Sequence, residues 1–448
     1  MNAIVTVNVS QQVAPTPSTL QRTGAAISVG GTTLAPGTSL FLPDAATLTP
    51  YLATALPNSS FAWSAGTVTV TTAAALPYTT GDKATLTISG AAPAGYNGTF
   101  LCDITGANTF TYPLASDPGA FTSPGDWLPG SVAELQSMVA TYFAQGTSVA
   151  LFAGAGASTI GGNGLYVLEL GAEGITEAVA SLATYIETPP VGAVKFYAYL
   201  IPRDWDTEDE TDLLALVTLY SSPTGLTYFY ITTGAPGNYT GHKAAFTVVE
   251  AATKPAGEFT AAAFFYKALS YNPSSASLVA PMQWGFVYAV TPDPLSAADQ
   301  VTDTAEGANW VGTGAEGGIS NLVIVNGQFA DLAPFNYWYA VDWVILNVSQ
   351  ALAAAVINGS NTPTNPLYYN QAGINVLQKV AQSTVNSGIS FGLILPPAPV
   401  QAVPFAQYVE QNPGDYAIGK YAGLSLTFTP ARGFNAIVVN LVASNIPQ

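Results

Sequence analysis

The segment Arg432–Ser444 constrains the fold more than any other stretch of this sequence. Read with the two-residue period of a β-strand, it is apolar on both faces: Ile437, Val439 and Leu441 lie on one, and Phe434, Ala436, Val438 and Val442 lie on the other. A strand of this kind needs cover on both sides. No charge follows Arg432 and no proline precedes Pro447, so nothing in the segment prevents edge-to-edge pairing.

A second uncharged strand pattern lies in Ala3–Val9. Two unprotected strand segments are an aggregation hazard unless a partner strand receives them. We therefore expect both segments to be exchanged between copies of the chain. The predicted intersubunit arm residues are Ile4, Val5, Val7, Val9, Phe434, Ile437, Val438, Val439, Leu441 and Val442.

The composition indicates a β-rich protein whose polar surface carries few charges. Only 8% of its 448 residues are charged, against roughly a quarter in an average domain. Such a surface is suited to being covered by neighbouring subunits, because charge mainly keeps monomers apart. The net charge of −17 argues against a nucleic-acid partner, which requires basic patches.

The single cysteine, Cys102, excludes an intramolecular disulfide framework and zinc–cysteine clusters. The N-terminal residues show neither a basic region nor a continuous apolar stretch, so no signal peptide is evident. No uninterrupted apolar run reaches the roughly 18 residues of a membrane span. We expect a protein that is made and kept in a cytosol or released by lysis.

The expected fold class is α+β (mixed α/β), with a mixed sheet flanked by helices. An inserted small all-β domain of four or five strands is expected at 61–118, where alternating apolar pairs are separated by turns such as Gly95–Gly98. The predicted domains are an N-terminal arm at 1–20, a discontinuous core at 21–60 and 119–431, and a C-terminal arm at 432–448. A division of the core into two subdomains is the alternative.

Helical and strand patterns alternate after Ser131. A capping box of Ser131 and Glu134 is predicted to open the first helix. The predicted helices are Ser131–Ala144, Ile175–Glu187, Glu208–Tyr220, Thr260–Leu269, Tyr337–Ile357 and Gln371–Asn386. The predicted strands are Ser148–Ala153, Leu165–Leu170, Val194–Ile201, Leu226–Thr232, Ala244–Val249, Gly285–Val290, Asn321–Val325 and Ala422–Thr429.

Three motifs resemble chemical sites, and each favours a plainer interpretation. The acidic run Asp204–Asp212 lacks the central glycine of a calcium loop and has Ala215 at the twelfth position, so a helix start is favoured. The glycine-rich loop Gly154–Gly164 has no Gly-Lys-Ser/Thr. His242, the single histidine, follows a turn-rich stretch and is expected at the surface. We predict no catalytic, cofactor-binding or metal residues, and no enzyme activity.

The order of these parts resembles that of contractile-tail sheath proteins of myovirus-type bacteriophages. The matching residues are Ile4–Asn8, Ser131–Gly146 running into Val149–Phe152, the two late helices, Gly414–Tyr416 and Gly423–Phe434. The insert, through Gly95–Phe100 and Ala107–Tyr112, is similar to small β-modules of phage tail proteins. It is expected to project outward from a lattice.

The resemblance implies a virion structural subunit without a cofactor, assembled in the host bacterial cytoplasm. Its implied partners are other copies of the chain in stacked rings, a tail tube protein, and baseplate and tail terminator proteins. Contraction would drive the tube through the bacterial envelope, with no insertion of this chain into the membrane. The alternatives are a secreted or surface adhesin or S-layer-like protein, and a glycoside hydrolase-like enzyme for which no site can be named.

Overall fold

A computed structural model describes residues 20–152, 164–208, 210–273, 281–313, 321–361 and 366–434. The chain divides into two compact units. The first, named here the sheet unit, takes Thr19–Asn272 and Trp284–Ala333. The rest of the chain forms the second, named the helical unit.

The strands of the sheet unit are β1 (Gly24–Ser28), β2 (Thr38–Leu42), β3 (Leu56–Ser64), β4 (Thr67–Thr72), β5 (Lys83–Ala92), β6 (Gly98–Gly106), β7 (Thr109–Pro113), β8 (Ser123–Pro129), β9 (Leu165–Glu169), β10 (Ala198–Leu200), β11 (Tyr228–Thr232), β12 (Ala245–Val248), β13 (Trp310–Thr313) and β14 (Leu322–Val325). Its helices are α1 (Ser131–Phe152), α2 (Ile175–Glu187), α3 (Arg203–Glu208), α4 (Glu210–Tyr220), α5 (Thr260–Ser270) and α6 (Ala297–Glu306).

A six-stranded sheet forms the centre of this unit, in the order β12-β11-β10-β1-β9-β2. Neighbouring strands are parallel, except that β2 runs antiparallel to β9. The predicted mixed sheet is therefore confirmed. Its central strand β1 is buried at every position, as expected for a parallel strand covered on both faces.

Helices cover both faces of the sheet. One face packs against α2, α3 and α4 through Ile27, Leu168, Tyr199, Phe229 and Ile231. On the other face, the ring of Tyr230 lies 5.1 Å from that of Phe265 in α5. A Cβ atom at Gly24 would stand 2.6 Å from the side chains of Leu269 and Phe265, so glycine permits this close approach of α5 to β1.

The inserted all-β module is a closed barrel in the order β3-β4-β7-β6-β5-β8. Its interior is filled by the alternating residues that the sequence pattern identified, including Val68, Val70, Leu86, Ile88, Cys102, Ile104, Phe110 and Tyr112. The barrel has six strands instead of four or five, and they extend beyond the predicted 61–118, from Leu56 to Pro129. Burial raises the pKa of the Cys102 thiol to about 12, so it packs as a small apolar group.

The helical unit contains α7 (Phe335–Asn361), α8 (Gln371–Ser390), β15 (Ile394–Leu395), β16 (Val400–Ala402), α9 (Phe405–Gln411), α10 (Pro413–Ala417), β17 (Leu424–Leu426) and β18 (Thr429–Pro430). Among the described helices, α7 alone is long and apolar enough to cross a membrane by length and composition. Core helices of soluble proteins meet the same criterion. The buried positions of α7 include Asn336, Asp342 and Asn347, so its inner face is partly polar.

Two predicted strands are wrong. The backbone of residues 148–152 continues α1 as a helix, because the short apolar run Val149–Phe152 contains no helix breaker and suits either structure. The predicted strand Gly285–Val290 is reduced to an isolated bridge between Phe286 and Val323. Trp284 and Ala289 have φ angles of 64° and 51°, which lie outside the β region.

The predicted capping box at the start of α1 is also wrong. Ser131 Oγ donates to Val29 O, and Glu134 Oε1 accepts from Arg203 N, so neither residue forms the predicted capping box. Long-range partners outcompete the local ones here. Helical structure begins at Arg203, five residues before the predicted start of the helix Glu208–Tyr220, and Asp204 and Asp206 lie in its first turn, as expected of an acidic helix start. Asp209, between α3 and α4, lies outside the described residues.

Candidate functional site

The helical unit contains a narrow β-ribbon whose two edges differ. Its inner strand is formed by β15 and β16, and its outer strand by β17 and β18. Val400 lies opposite Leu426 and Ala402 opposite Leu424, in antiparallel register. A two-stranded ribbon is marginally stable alone, so its edges need covering.

Glutamine side chains of α8 cover the inner edge. Val400 N donates to Gln382 Oε1 over 2.8 Å, and Gln378 Nε2 donates to Val400 O over 2.8 Å. Gln382 Nε2 also donates to Ala398 O over 3.2 Å. These amides occupy the donors and acceptors that another strand would use, so the inner edge is closed.

No hydrogen bond from a described residue reaches the backbone groups on the outer side of β17, which is called the open edge below. Because Val400 directs both backbone polar groups towards α8, its pair with Leu426 is of the non-hydrogen-bonded kind. The N–H and C=O of Leu426 therefore point away from the ribbon. Hydrogen-bonded and non-hydrogen-bonded pairs alternate along an antiparallel ribbon. The N–H and C=O of Leu424, two residues away, therefore also point away from the ribbon. Between Tyr421 and Ala431 the chain has no charged residue that would deter a pairing strand.

Side chains along the outer strand alternate between two environments. Leu424, Leu426 and Phe428 are half-buried, whereas Ser425 and Thr427 are exposed. A strand added at this edge would extend the half-buried apolar face and leave the polar face in solvent. This arrangement fits an apolar strand better than a charged one.

A hydrogen-bonded turn fixes the beginning of the outer strand. Tyr408 Oη donates to Asp415 Oδ2 over 2.6 Å and accepts from Ala422 N over 2.9 Å. The hydrogen bond from Tyr408, together with nearby Lys420, lowers the pKa of Asp415. The same bond raises the pKa of Tyr408, because it favours the protonated phenol. Asp415 belongs to Gly414–Tyr416, one of the segments that carried the resemblance.

The chain that follows the outer strand is anchored at Ala431, Arg432 and Gly433. Asn336 Nδ2 donates to Ala431 O over 2.6 Å, and the Arg432 guanidinium lies 5.4 Å from the centre of the Tyr337 ring. A Cβ atom at Gly433 would clash with Pro281, so the chain passes close to that residue. The next residue, Phe434, is 81% exposed.

Phe434 is the one predicted arm residue that the structure describes. The others lie outside the described residues: Ile4, Val5, Val7, Val9, Ile437, Val438, Val439, Leu441 and Val442. The sequence interpretation missed the glutamines of α8. Gln371, Gln378 and Gln382 recur at helical spacing beside the apolar face of α8. That apolar face was the sequence signal from which their position could have been inferred.

The residues of the candidate chemical motifs that the structure describes make ordinary structural contacts. His242 is half-buried, with Nε2 3.0 Å from Thr218 Oγ1 and Nδ1 3.0 Å from Tyr239 O. Among the residues that the structure describes, no group of three His, Cys, Asp or Glu side chains could hold a metal ion. Apart from Gly164, the glycine-rich loop lies outside the described residues.

Comparison with solved structures finds chains of similar fold. A chain in the cryo-EM structure of the anti-feeding prophage (AFP) baseplate, symmetrised sixfold, matches with a TM-score of 0.53 and 10% identity, covering 99% of this chain and 100% of that one. A sheath tail protein from Listeria innocua matches with a TM-score of 0.44 and 9% identity, covering 92% and 95%.

No protein-family model and no curated protein sequence matches the chain. The likeness to the prophage baseplate chain is one of fold, and it agrees with the resemblance that the sequence suggested.

Proposed function

We propose that this chain is a structural subunit of a contractile tail sheath or of a related tail assembly, without enzymatic activity. The observation that carries the proposal is the open edge at Leu424 and Leu426, close in the chain to Ala431, which is anchored just before the C-terminal arm begins. The fold, shared along its length with a prophage baseplate chain, supports a role in a tail-like particle.

In this proposal, an arm segment of one copy pairs with the open edge of another. Ala3–Val9 and the C-terminal segment that begins at Phe434 are the two candidate donors, since both are uncharged and have strand patterns. Strand addition of this kind supplies backbone hydrogen bonds at an edge and side-chain contacts on its faces. The closed inner edge restricts it to one side of the ribbon.

Side-chain burial supplies most of the net attachment. A backbone hydrogen bond contributes about 0.5–1.5 kcal/mol net, which is close to the ~1–2 kcal/mol that ordering one residue costs. These two contributions nearly cancel along a strand. Burying residues such as Val439 or Leu441 then adds about 1.5–3 kcal/mol each. Two arms for each subunit add avidity.

The finer steps also belong to the proposal. Copies stack in rings around a tail tube protein, and baseplate and tail terminator proteins bound the polymer at its ends. On contraction the folded cores rotate and move outward while the arms stay paired. The free energy released by the lattice drives the tube through the bacterial envelope, in a particle assembled in the host cytoplasm.

The test replaces one arm residue. Val439→Asp puts a charge into a strand that must be buried, so we expect the core to stay folded while polymerisation without the tube is lost. Val191→Asp is the matched control, because Val191 is fully exposed in the sheet unit. Negative-stain electron microscopy and sedimentation measure polymer length, and circular dichroism checks folding. Polymers of normal length from Val439→Asp would contradict strand exchange.

A further inference from the structure

The barrel has an aromatic pocket on its surface that the proposed function does not use. Its volume is about 350 Å³, and it is lined by Phe61, Trp63, Tyr96, Asp117, Gly119, Ala120 and Phe121. Two of these rings reach solvent: Trp63 is half-buried, and Phe121 is 36% exposed. The other two, Phe61 and Tyr96, are buried and form the floor.

The rings at this pocket have their polar atoms turned inward. Trp63 Nε1 donates to Leu114 O over 2.9 Å, and Tyr96 Oη donates to Gly119 O over 2.7 Å. The ring centres of Phe61 and Tyr96 are 4.9 Å apart, and those of Phe61 and Phe121 are 6.3 Å apart. The exposed parts of the aromatic rings are therefore apolar and available to a ligand.

The loop that closes the pocket is already held in place. Gly119 N donates to Asp117 Oδ1 over 2.8 Å, and Thr122 N donates to Ala92 O over 2.7 Å. Together with the bond from Tyr96, these contacts fix the loop, so little ordering would be needed on binding. Within the described part of the chain, no hydrogen bond is recorded to Asp117 Oδ2. Asp117 lines the pocket and is exposed, so Oδ2 is the oxygen that can accept from a ligand.

We propose that this pocket binds a neutral sugar ring. The apolar C–H face of a pyranose would pack on Trp63 and Phe121, and its hydroxyl groups would donate to Asp117 Oδ2. Asp117 is the one charged residue among the lining side chains, so an anionic sugar or phosphate would be repelled. Aromatic recognition of a cation needs ring faces around the charge. This pocket is shallow and two of its rings are buried in the floor, so it suits a cation less well.

This proposal is independent of the open sheet edge, because the pocket lies in the barrel of the sheet unit and the edge lies in the helical unit. Loss of sugar binding would leave polymerisation unchanged, and loss of polymerisation would leave sugar binding unchanged. The two proposals can therefore fail separately.

The experiment measures binding to the full chain by saturation-transfer difference NMR. The probes are methyl glucoside, methyl galactoside and N-acetylglucosamine, with tetramethylammonium as the cation probe. Asp117→Asn keeps an acceptor for Gly119 N but replaces the free oxygen by a donor. We expect it to weaken sugar binding about tenfold or more, since a hydrogen bond to a charged group is lost. Asp126→Asn, at an exposed position of the same barrel, is the matched control.

A second variant guards against a folding defect. Phe121→Ala removes an exposed ring and should also weaken sugar binding, while Phe41→Ala, at an exposed ring outside the barrel, should not. Saturation transfer to at least one sugar, lost in both pocket variants and kept in both controls, supports the proposal. The proposal is overturned if none of the three sugars binds, if tetramethylammonium binds in preference to them, or if the pocket variants bind sugar as the controls do.

Discussion

Arg203 joins segments of the sheet unit that lie far apart in the sequence. Its Nε and Nη2 each donate to a carboxylate oxygen of Glu250 over 2.8 Å, and Nη2 also donates to Glu258 O. The guanidinium lies 4.1 Å from the centre of the Phe259 ring. Its backbone N–H donates to Glu134 in α1. This network explains why Glu134 is drawn away from the predicted capping box.

The surroundings of Glu134 give it an unusual titration. Burial raises its pKa to about 8, the nearby Asp204 adds to the shift, and Arg203 partly offsets it. The folded chain thus holds a proton on Glu134 at pH values where the unfolded chain, with a Glu pKa of about 4.3, has released it. Between these two pKa values, folding stability contributed by this group falls as the pH rises.

Glu134→Gln is expected to remove this pH dependence. Relative to the wild type, the variant should gain stability as the pH rises from 5 to 9, by at most about 1.4 kcal/mol per pH unit within the titrating range. Denaturant unfolding at each pH measures the difference. Glu410→Gln, at an exposed position, is the control and should track the wild type. A constant difference between Glu134→Gln and the wild type across this range would contradict the assignment.

At the scale of elements, the ribbon of the helical unit depends on side chains that imitate a strand. The amides of Gln378 and Gln382 satisfy Val400 and Ala398, which would otherwise be left without partners at a buried edge. A buried polar group without a partner costs about 1–3 kcal/mol. The two glutamines therefore stabilise the inner strand and also keep other strands from pairing with it.

The double variant Gln378→Leu with Gln382→Leu tests this dual role. We expect a lower free energy of unfolding, amide exchange at Val400 at least about tenfold faster, and irregular association through the newly open edge. Gln350→Leu, at an exposed position of α7, is the matched control. Unchanged hydrogen exchange at Val400 in the double variant would show that the glutamines do not protect this edge.

The elements that the sequence predicted well are those with strong local patterns. Helix α2 agrees with its predicted bounds, Ile175–Glu187, because its apolar positions repeat at helical spacing throughout. Strands β3 and β8 were missed because Leu56–Ser60 and Ser123–Gly125 contain proline, glycine and polar residues typical of turns. Only pairing with each other and with distant strands makes them extended.

For the candidate site, the outer strand was predictable and its accessibility was not. A strand was predicted at Ala422–Thr429, and the structure has β17 inside this range and β18 at its end. Which edge is open depends on the partners of Val400, and these come from a helix about 20 residues earlier in the chain. Sequence periodicity contains no information on that contact.

At the scale of the whole molecule, the barrel is an addition whose two ends meet. Leu56 in its first strand lies opposite Trp127 in its last, so a short linker can replace everything between. Its contacts to the rest of the sheet unit include Thr85 Oγ1, which donates to Asp204 Oδ2 over 3.0 Å, and an ion pair of Lys83 with Glu208. The expected insert at 61–118 cuts through β3 and leaves β8 outside the insert.

Replacing residues 56–129 by a short Gly-Ser linker, together with Asp204→Asn to remove the orphaned charge, should leave polymerisation intact. The reason is that the open edge and the anchored residue Ala431, just before the C-terminal arm, both belong to the helical unit. Electron microscopy measures polymer formation, and the single variant Asp204→Asn in the full chain is the control. A folded deletion variant that forms no polymers would mean that the barrel takes part in assembly.

The single open edge of the ribbon has a consequence for the timing of assembly. Each copy offers two candidate donor segments, whereas its own ribbon can receive one strand directly at Leu424 and Leu426. In the proposed strand exchange, the first strand to arrive would bring a fresh edge of its own, and only then could the second be received. Growth would accordingly be a templated, two-step process with a lag phase, and preformed polymer ends would shorten that lag.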